Sequence, residues 1–528
     1  MENAGYLAFI PPVLAIVLAL LTKDVLVSLV LGIASGLLIA ADGNVLNAFL
    51  NLSDLMADKA SDSWNIRILL FCGLLGGLVG LLTKAGAARA FGLWASHFIK
   101  GRRSAQFFTW LCGLFIFIDD YFNSLAVGSV MRPVSDARGL SRAKLAYILD
   151  STAAPVCILA PVSSWVVTVI SQIRESSGFS ELGTGEMSFF LMLIPYNIYA
   201  LLALIMVLVV ALSGRDFGPM AKSERLAELG SFYNQQRYGM APGDLQEEGN
   251  SSRTAWYDMA LPMFILIAGC IVAFPLTTYM DLEPGETMPL IDAFRNTDAS
   301  KALLYGITFT LIFSYFYFNI RRVLNLKQTS EAIIDGVRAM LPALVILILA
   351  WSIGHVISKP LSEGGLGLPL VIDQMLRGSS LPLWVLPLCV FLLSGGIAFA
   401  TGTSWGTFGI MIPIVLPTSV SLAQGMGFSG HELLQCTLIG VSAALSGAVF
   451  GDHASPISDT TILSSAGASC PHLEHVATQL PYACFVALCS GVGIVVSAYL
   501  MLPWVGLLAA LVCFVPGFIF LSRKREHI

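Results

Sequence analysis

Charged side chains are scarce in this chain of 528 residues. Asp, Glu, Lys and Arg make up 12% of it, whereas hydrophobic residues make up 56% and the mean hydropathy is +0.78. A water-soluble protein could not bury that much apolar surface, but a bilayer can surround it, because each helical crossing holds about 20 apolar residues. The net charge of −5 gives no reason to expect a nucleic-acid partner. The composition therefore predicts an all-α polytopic membrane protein whose main partner is the lipid bilayer.

Signatures of catalysis and of resident cofactors are also missing. The sequence has no phosphate-binding loop, no nucleophile elbow and no zinc-protease motif. Its ten cysteines are scattered without metal-binding spacing and are interpreted as buried small hydrophobic residues. We expect no enzyme activity and no cofactor. Any movement of a solute would therefore be driven by an ion gradient or by the concentration gradient of the solute itself. The N-terminus lacks the features of a cleaved signal peptide and is predicted to be a retained first span.

Thirteen apolar runs could enter or cross a bilayer, and Pro and Gly interrupt several of them. We expect about eleven to thirteen full crossings, together with segments that turn back inside the membrane. The runs are 5–22, 24–41, 67–83, 105–118, 143–171, 188–213, 257–277, 302–319, 339–358, 381–399, 432–450, 478–499 and 501–521.

Basic and acidic residues collect in different connections. Lys and Arg concentrate in 100–103, 132–144, 215–253, 321–338 and 523–525, whereas 175–186 and 281–298 are acidic. The positive-inside rule places the basic connections in the cytoplasm, with the N-terminus outside and the C-terminus inside a cell inner or plasma membrane. The hydrophilic stretch 214–254 is predicted to be a cytoplasmic linker between a first half, 1–213, and a second half, 255–528.

Polar residues break an apolar run in the same way in each half. The segment 117–124 ends in a serine that precedes Met-x-Pro at 131–133, and the segment 399–404 ends in a serine at the same offset from Met-x-Pro at 411–413. Backbone breaks are costly in lipid, because each unpaired N–H or C=O costs several kcal/mol. Small residues at one such break could merely permit close helix packing, but two aligned breaks favour a function.

A second polar interruption follows each of these breaks. It contains Asp150 to Pro155 in the first half and Asp452 to Pro456 in the second. Paired interruptions at matching places in two halves are typical of transporters whose substrate site lies where the breaks meet, near the midplane. Ser, Thr and Asn oxygens beside the ends of broken helices suit Na⁺, and a carboxylate adds charge and a proton site.

Several ionisable residues lie within or beside apolar runs. Asp119 and Asp120 follow one such run, so at least one is expected to be buried on an ion or proton path. The alternative is an interfacial pair partnered by Arg132. His453 is either a structural histidine or part of the site, and His355 is a lone ionisable group that could shuttle protons or touch a substrate.

A polar connection follows the second interruption of the second half. It contains His472, Glu474 and His475, whose spacing could suggest a metal. No further ligand lies nearby in the sequence, so we interpret these three as loop residues.

Four motifs carry a resemblance to a known family. They are Phe117-Ile-Asp-Asp-Tyr-Phe-Asn-Ser, Asp150-Ser-Thr-Ala-Ala-Pro-Val, Thr401-Gly-Thr-Ser-Trp-Gly-Thr and Gly451-Asp-His-Ala-Ser-Pro-Ile-Ser-Asp-Thr-Thr. Together they resemble the NhaC family of Na⁺/H⁺ antiporters within the ion transporter superfamily, from about Val25 to Pro503. The resemblance implies two inverted repeats with re-entrant hairpins and broken helices, a scaffold plus an elevator-type transport domain, and a homodimer.

The resemblance also implies a set of site residues. The candidate ion- or substrate-binding residues are Asp119, Asp120, Asn123, Ser124, Asp150, Thr152, Thr401, Thr403, Ser404, Asp452, His453, Ser455, Ser458 and Asp459. Of these, the expected Na⁺ ligands are Asn123, Ser124, Asp150, Thr401, Thr403, Asp452 and Asp459. The side chains that could line a pocket for an organic solute are Trp165, Trp351, His355 and Trp405.

Two functional hypotheses follow from these residues and the resemblance. The first is exchange of Na⁺ for H⁺, in which the same carboxylates bind either ion and both ions are transported or coupling species. The alternative is a transporter that couples Na⁺ or protons to an organic solute, either an amino acid such as methionine or a carboxylate such as malate or lactate. A channel or receptor is less favoured, because paired breaks suit alternating access better than a continuous pore.

Overall fold

A computed structural model describes residues 3–22, 24–95, 97–117, 120–161, 163–176, 178–241, 254–282, 286–295, 297–368, 370–371, 382 and 384–523. Every regular element in these ranges is helical, and no strand occurs among them. Eight of the described helices are long and apolar enough to cross a bilayer. The described part of the chain is therefore an all-α polytopic membrane protein.

The helices follow the chain in a single series with short connections. Those of the first half are α1 Ile10–Thr22, α2 Val25–Ala40, α3 Val45–Ser61, α4 Ser63–Lys84, α5 Ala87–Ala95, α6 Arg102–Phe115, α7 Asp120–Ala137, α8 Arg142–Leu159, α9 Ser164–Glu175, α10 Glu186–Leu193 and α11 Ile198–Ser213. The hydrophilic stretch contains α12 Gly218–Glu228 and α13 Gln235–Tyr238.

The second half continues in the same manner. Its helices are α14 Tyr257–Met280, α15 Leu290–Arg295, α16 Ala299–Ile320, α17 Leu326–Ser358, α18 Leu386–Thr401, α19 Ser404–Gly425, α20 Gly430–Ala454, α21 Asp459–Gly467, α22 His472–Leu500 and α23 Pro503–Arg523. Single 3₁₀ turns are found at Gly5–Phe9, Phe179–Leu182, Ile194–Tyr196 and Leu361–Glu363.

The same order of breaks and turns occurs in α6–α9 and again in α18–α21. In each series a short non-helical break separates the first helix from the second. A tight turn then leads to a third helix, and a second break leads to a fourth. The two series also pack reciprocally, because α7 contacts α21 and α19 contacts α9. The helix breaks predicted at 117–124 and 399–404 therefore separate α6 from α7 and α18 from α19.

Two details of the sequence prediction are wrong in the first half. The run 143–171 is not one crossing, and Pro155 does not break the chain, because α8 continues through it to Leu159. A proline inside a helix removes the backbone bond to the residue four positions earlier and crowds that carbonyl, which can kink a helix without ending it. The helix ends where Ala160 takes an extended conformation before Pro161, as residues that precede proline tend to do.

Glycines set the closest approaches between helices. A Cβ added to Gly76 of α4 would lie 2.8 Å from the Gly336 carbonyl oxygen of α17, so these two helices cross with their backbones in contact. A Cβ at Gly451 of α20 would collide with the carbonyl of Gly395 in α18. The contacts divide the bundle into a group containing α1–α4, α14, α16 and α17 and a second group containing α6–α11 and α18–α23. Every candidate site helix apart from α17 belongs to the second group.

The connections with many Lys and Arg residues lie at one end of the bundle. The segments 85–95, 97–102, 138–142, 214–238, 254–257 and 468–472 contact one another there, and we call this the basic end. Thr254 donates to the Ala85 carbonyl at 2.7 Å, and the Arg142 N–H donates to the Phe232 carbonyl at 2.9 Å. The ring of Phe518 in the last helix also lies at the basic end, 6.3 Å from the ring of Phe217.

The described part of the hydrophilic stretch, residues 214–241, contains a helix that docks on the bundle. Glu224 of α12 is buried and accepts hydrogen bonds from the N–H of Ser141 at 2.9 Å and from its hydroxyl at 2.7 Å. Arg102 contacts the same carboxylate at 2.7 Å. The helix α12 therefore covers the start of α6 and α8 at the basic end.

Candidate ion site

Asp150 lies in the middle of α8 and is completely buried. It is eight residues from Arg142, so it lies about 12 Å along the helix from the basic end. The hydroxyl of Thr461 donates to its Oδ2 at 3.0 Å, and the hydroxyl of Ser464 lies 3.5 Å from Oδ1. The Gln479 amide donates to Oδ2 as well. A carboxylate of the first half is thus held by three side chains of the second.

Asp452 lies near the end of α20, just before the break that leads to α21. The hydroxyl of Ser404 donates to its Oδ2 at 2.8 Å, and the hydroxyl of Ser458 donates to its Oδ1. The Thr461 hydroxyl, which donates to Asp150, also lies 3.4 Å from the backbone carbonyl of Asp452. A single threonine therefore joins the two aspartate sites.

Asp459 is the first residue of α21, where a helix N-terminus favours a negative charge. The N–H of Thr460 donates to its Oδ1 at 2.8 Å, and the Tyr121 hydroxyl of α7 donates to its Oδ2. Its own N–H donates to the Gly402 carbonyl at 3.2 Å. Asp459 therefore connects three helix breaks: the one before α7, the one before α19 and its own.

Ser124 and Asn123, at the start of α7, lie beside the residues of α21 that contact Asp150. The hydroxyls of Ser464 and Ser124 are 3.1 Å apart. The Asn123 amide nitrogen donates to the carbonyls of Gly113 and Ile116 at 2.7 and 2.6 Å, which caps the end of α6. Its Oδ1 is buried without a hydrogen-bond partner among the described residues. An unused amide oxygen therefore lies one residue from Ser124.

The three carboxylates carry an excess of negative charge into the protein interior. Asp150, Asp452 and Asp459 are 0%, 1% and 3% exposed. Within the described ranges no Lys or Arg forms a hydrogen bond or ion pair with any of them. Burying an ionised carboxylate without a counter-charge costs far more than neutral hydrogen bonds return. Protons or cations would compensate these carboxylates, and the hydroxyl, amide and carboxylate oxygens around them are of the kind that hard metal ions take as ligands.

An aromatic cluster lies beside the start of α7. The Trp165 indole N–H of α9 donates to Asp120 Oδ1 at 3.0 Å, and Asp120 is 1% exposed. The Trp165 ring meets those of Trp405 and Phe408 edge to face, at centroid distances of 5.7 and 5.3 Å. The structure therefore brings two of the four residues of the predicted solute pocket together, in a packed cluster with Asp120.

Four predicted ligands direct their hydroxyls to the backbone. Thr152 and Thr401 donate to carbonyls one turn earlier, at 2.7 and 2.9 Å. Ser455 donates to the Phe399 carbonyl at 2.7 Å. The oxygen of Thr403 accepts a hydrogen bond from the backbone three residues later, at 3.4 Å, and caps α19. These residues shape the breaks, and none of their hydroxyls donates to the three carboxylates in the hydrogen bonds of the described chain.

Three further candidates lie at the edge of the site or beyond it. His453 is buried with Nδ1 3.2 Å from the Tyr199 hydroxyl, which fits a hydrogen-bonded structural histidine. His355 directs Nε2 to the Glu363 carbonyl at 3.2 Å, and Trp351 lies one turn earlier on the same helix. These two residues lie on α17, outside the helix group that contains Trp165 and Trp405. Asp119 lies outside the described residues.

The interpretation of His472, Glu474 and His475 as loop residues is wrong. All three are buried in the first turn of α22. His475 Nε2 is 3.7 Å from Asp150 Oδ2, and Glu474 accepts a hydrogen bond from the Ser223 hydroxyl at 2.9 Å. Polar residues can enter a helix when they have partners, and here those partners come from α8 and from the hydrophilic stretch.

Four side chains that contact the carboxylates are absent from the sequence prediction. Tyr121, Thr461 and Ser464 lie in or just after the polar motifs, where their hydroxyls are a visible signal. Gln479 is a polar residue near the start of an otherwise apolar run, which is also a signal, because isolated polar groups in a membrane helix need a partner. Its partner could be found only from the fold.

Comparison with known proteins identifies the family. The family model described as the Na⁺/H⁺ antiporter family matches residues 156–499, which include Asp452, Asp459 and Gln479. The chain belongs to the Na⁺/H⁺ antiporter family. This confirms the resemblance carried by the sequence motifs, and it indicates a transporter rather than an enzyme.

Individual antiporter-family relatives extend the comparison. An uncharacterized protein of Haemophilus influenzae is 36% identical over 98% of this chain and 95% of its own length. An uncharacterized Na⁺/H⁺ antiporter of the same organism is 33% identical over 28% of each chain, and a malate-2H⁺/Na⁺-lactate antiporter of Bacillus subtilis is 31% identical over 42% of this chain and 41% of its own. The solved YdaH transporter of Alcanivorax borkumensis covers 88% of this chain and 90% of its own at 15% identity, with a TM-score of 0.35. A TM-score of this size does not establish a shared fold.

Proposed function

We propose that the protein exchanges Na⁺ for H⁺ at the cluster of Asp150, Asp452 and Asp459. The observation that carries the proposal is that three buried carboxylates, contributed by both halves, have hydroxyl partners and no Lys or Arg partner in the described chain. Such a cluster binds cations or protons in order to remain buried. Because the same carboxylates serve either species, one Na⁺ displaces a proton and the two fluxes are coupled.

The Na⁺ ligands that we propose lie where α7, α8 and α21 meet. Asp150 supplies the charge, and the hydroxyls of Ser124, Thr461 and Ser464 supply neutral oxygens. The unused Oδ1 of Asn123 is the remaining oxygen of this set. Asp452 and Asp459 are proposed to carry protons or a second cation.

We further propose the arrangement that the family resemblance implies. The series α6–α9 and α18–α21 would be inverted repeats, and the helix group that carries them would move as a transport domain past the group of α4, α14, α16 and α17. The basic end would face the cytoplasm of a bacterial inner membrane, with the C-terminus inside and the N-terminus outside. A homodimer is part of the same proposal.

The test is an ion-exchange assay with purified protein in liposomes. The vesicles contain NaCl and a pH-sensitive dye, the membrane potential is clamped, and no organic solute is present. Dilution into sodium-free buffer should acidify the lumen, because each Na⁺ that leaves is replaced by a proton. If Na⁺ moves no protons under these conditions, the exchange proposal is wrong.

A pair of matched variants locates the activity. Unit charges about 2.5 Å apart attract by about 6–7 kcal/mol at an effective dielectric constant of about 20, so Asp150→Asn should abolish Na⁺-driven acidification. Asp335→Asn removes an exposed carboxylate from α17, where it pairs with Arg338 at 3.4 Å. Exposed pairs contribute only about 0–1 kcal/mol, so this control should transport normally. Normal transport by Asp150→Asn would move the site elsewhere.

The alternative, coupled transport of an organic solute, is addressed by the same vesicles. It is favoured by the name of the relative from Bacillus subtilis, a malate-2H⁺/Na⁺-lactate antiporter. Acidification that occurs only after addition of lactate or malate would support this alternative over simple exchange.

A further inference from the structure

A second buried charge cluster lies on the same two helices as the ion site. Lys144 of α8 is 0% exposed and pairs with Asp216, which is 4% exposed and belongs to the connection before α12. The hydroxyl of Tyr482 donates to the same Asp216 oxygen at 2.9 Å, and the Lys144 ammonium lies 5.7 Å from the Tyr482 ring centroid. Tyr482 in turn accepts a hydrogen bond from the N–H of Phe217 at 3.2 Å.

This cluster and the ion site share one contact between α8 and α22. Lys144, Tyr147 and Asp150 follow each other at intervals of three residues on α8, and Gln479 and Tyr482 are three apart on α22. The Tyr147 and Tyr482 rings pack at 4.9 Å. Six residues separate Lys144 from Asp150, which corresponds to about 9 Å along the helix. A buried positive charge is therefore held close to a site that binds cations.

We propose that Asp216 is a positioning and charge-compensating residue that sets the cation affinity of Asp150. Paired with Asp216, the Lys144 ammonium adds almost no net charge near the site. At a separation similar to that rise along the helix, an ammonium without its partner would oppose a Na⁺ ion bound at Asp150 and weaken its binding roughly twentyfold at an effective dielectric constant of about 20. The inference rests on the proposed function, because it assumes that the ion binds at Asp150.

The inference also gives the hydrophilic stretch a role in transport. Asp216 lies two residues before α12. The helix α12 is docked on the same end of α8 through Glu224 and Ser141. The position of this stretch therefore determines whether Lys144 is neutralised. An insert that the sequence presents as a connection supplies the counter-charge for a lysine in a membrane helix.

The experiment measures Na⁺ binding and exchange for three variants of the full protein. Na⁺ binding is measured at a fixed neutral pH, because an added positive charge opposes Na⁺ and H⁺ alike and because a buried ammonium without a partner charge readily loses its proton at high pH. Asp216→Asn should raise the half-saturating Na⁺ concentration roughly twentyfold, with a smaller change in maximal rate. Asp216→Glu keeps the charge and should retain most of the affinity. Lys144→Met combined with Asp216→Asn removes both charges and should restore Na⁺ affinity.

The double variant separates an electrostatic role from a merely structural one. If the pair only holds α8 to α22, removing both partners should be no better than removing one. Equal Na⁺ affinity of Asp216→Asn and wild type, or no recovery in the double variant, would overturn the inference. Absence of Na⁺-driven proton movement in the wild type would instead contradict the proposed exchange. Size-exclusion profiles show which variants remain folded. If Asp216→Asn does not, Lys144→Met alone, which leaves the negative charge of Asp216, should instead lower the half-saturating Na⁺ concentration.

Discussion

Gly402 provides the sharpest test of how the helix breaks form the site. It lies between α18 and α19 with φ of +71°, and its carbonyl accepts the N–H of Asp459 at 3.2 Å. A Cβ at this position would collide with the Ile457 carbonyl. Gly402→Ala should therefore force the two breaks apart. The left-handed conformation costs alanine about 1–2 kcal/mol, and the lost hydrogen bond costs about 1 kcal/mol more, so we expect destabilisation of about 2–3 kcal/mol.

A glycine within α18 provides the matched control for Gly402. Gly396 has no atom within 4 Å of an added Cβ, so Gly396→Ala should be neutral or should stabilise by up to about 1 kcal/mol. Thermal unfolding in detergent, followed by tryptophan fluorescence, should separate the variants by several degrees. Na⁺-driven acidification should fall only in Gly402→Ala, because Asp459 moves with the break. Equal stability and transport in the two alanine variants would refute the proposal that contact between Gly402 and Asp459 holds the two helix breaks together.

Three further predictions concern hydrogen bonds to buried carboxylates. Thr461→Val removes the hydroxyl that donates to Asp150 at 3.0 Å, so exchange should fall about tenfold, whereas Thr461→Ser should retain it in the same assay. Tyr121→Phe removes the hydroxyl donor to Asp459 and should lower the free energy of unfolding by about 1–3 kcal/mol, measured by denaturation in detergent. Glu224→Gln weakens the docking of α12, and limited trypsin digestion should then cleave the hydrophilic stretch faster than in wild type.

The helix breaks could be predicted from sequence because the physics that marks them is local. Gly402 and its polar neighbours interrupt an apolar run, and backbone breaks in lipid occur only where something satisfies them. The break predicted at Pro155 was misplaced, because a proline can lie within a helix that continues past it. The helix α8 ends instead at Ala160, before Pro161. The local signal was sound, but its exact position depended on the surrounding helix contacts.

The partners of Asp150 could not be predicted from sequence, whereas the two serines that contact Asp452 were among the candidate site residues. Gln479 lies 329 positions from Asp150, and nothing in the local pattern of either helix pairs them. The turn containing Glu474 has the composition of a loop, and it becomes a buried helix start because the hydrophilic stretch supplies Ser223 as a donor. Long-range pairs of this kind are fixed by the packing of the whole bundle. The sequence therefore indicated the acids but not the hydrogen-bond partners of Asp150.

The charge balance of the site limits how it can move. Three buried carboxylates without Lys or Arg partners in the described chain cannot cross the apolar interior as three anions, because each uncompensated charge would cost several kcal/mol. The proposed transport domain can therefore change its exposure only after Na⁺ or protons have neutralised enough of Asp150, Asp452 and Asp459. Coupling then needs no separate gate for each ion, since either cation permits the movement and the unloaded site forbids it. A paired Lys144 is consistent with this requirement, because an unpaired ammonium nearby would neutralise the site without a transported ion and allow it to move empty.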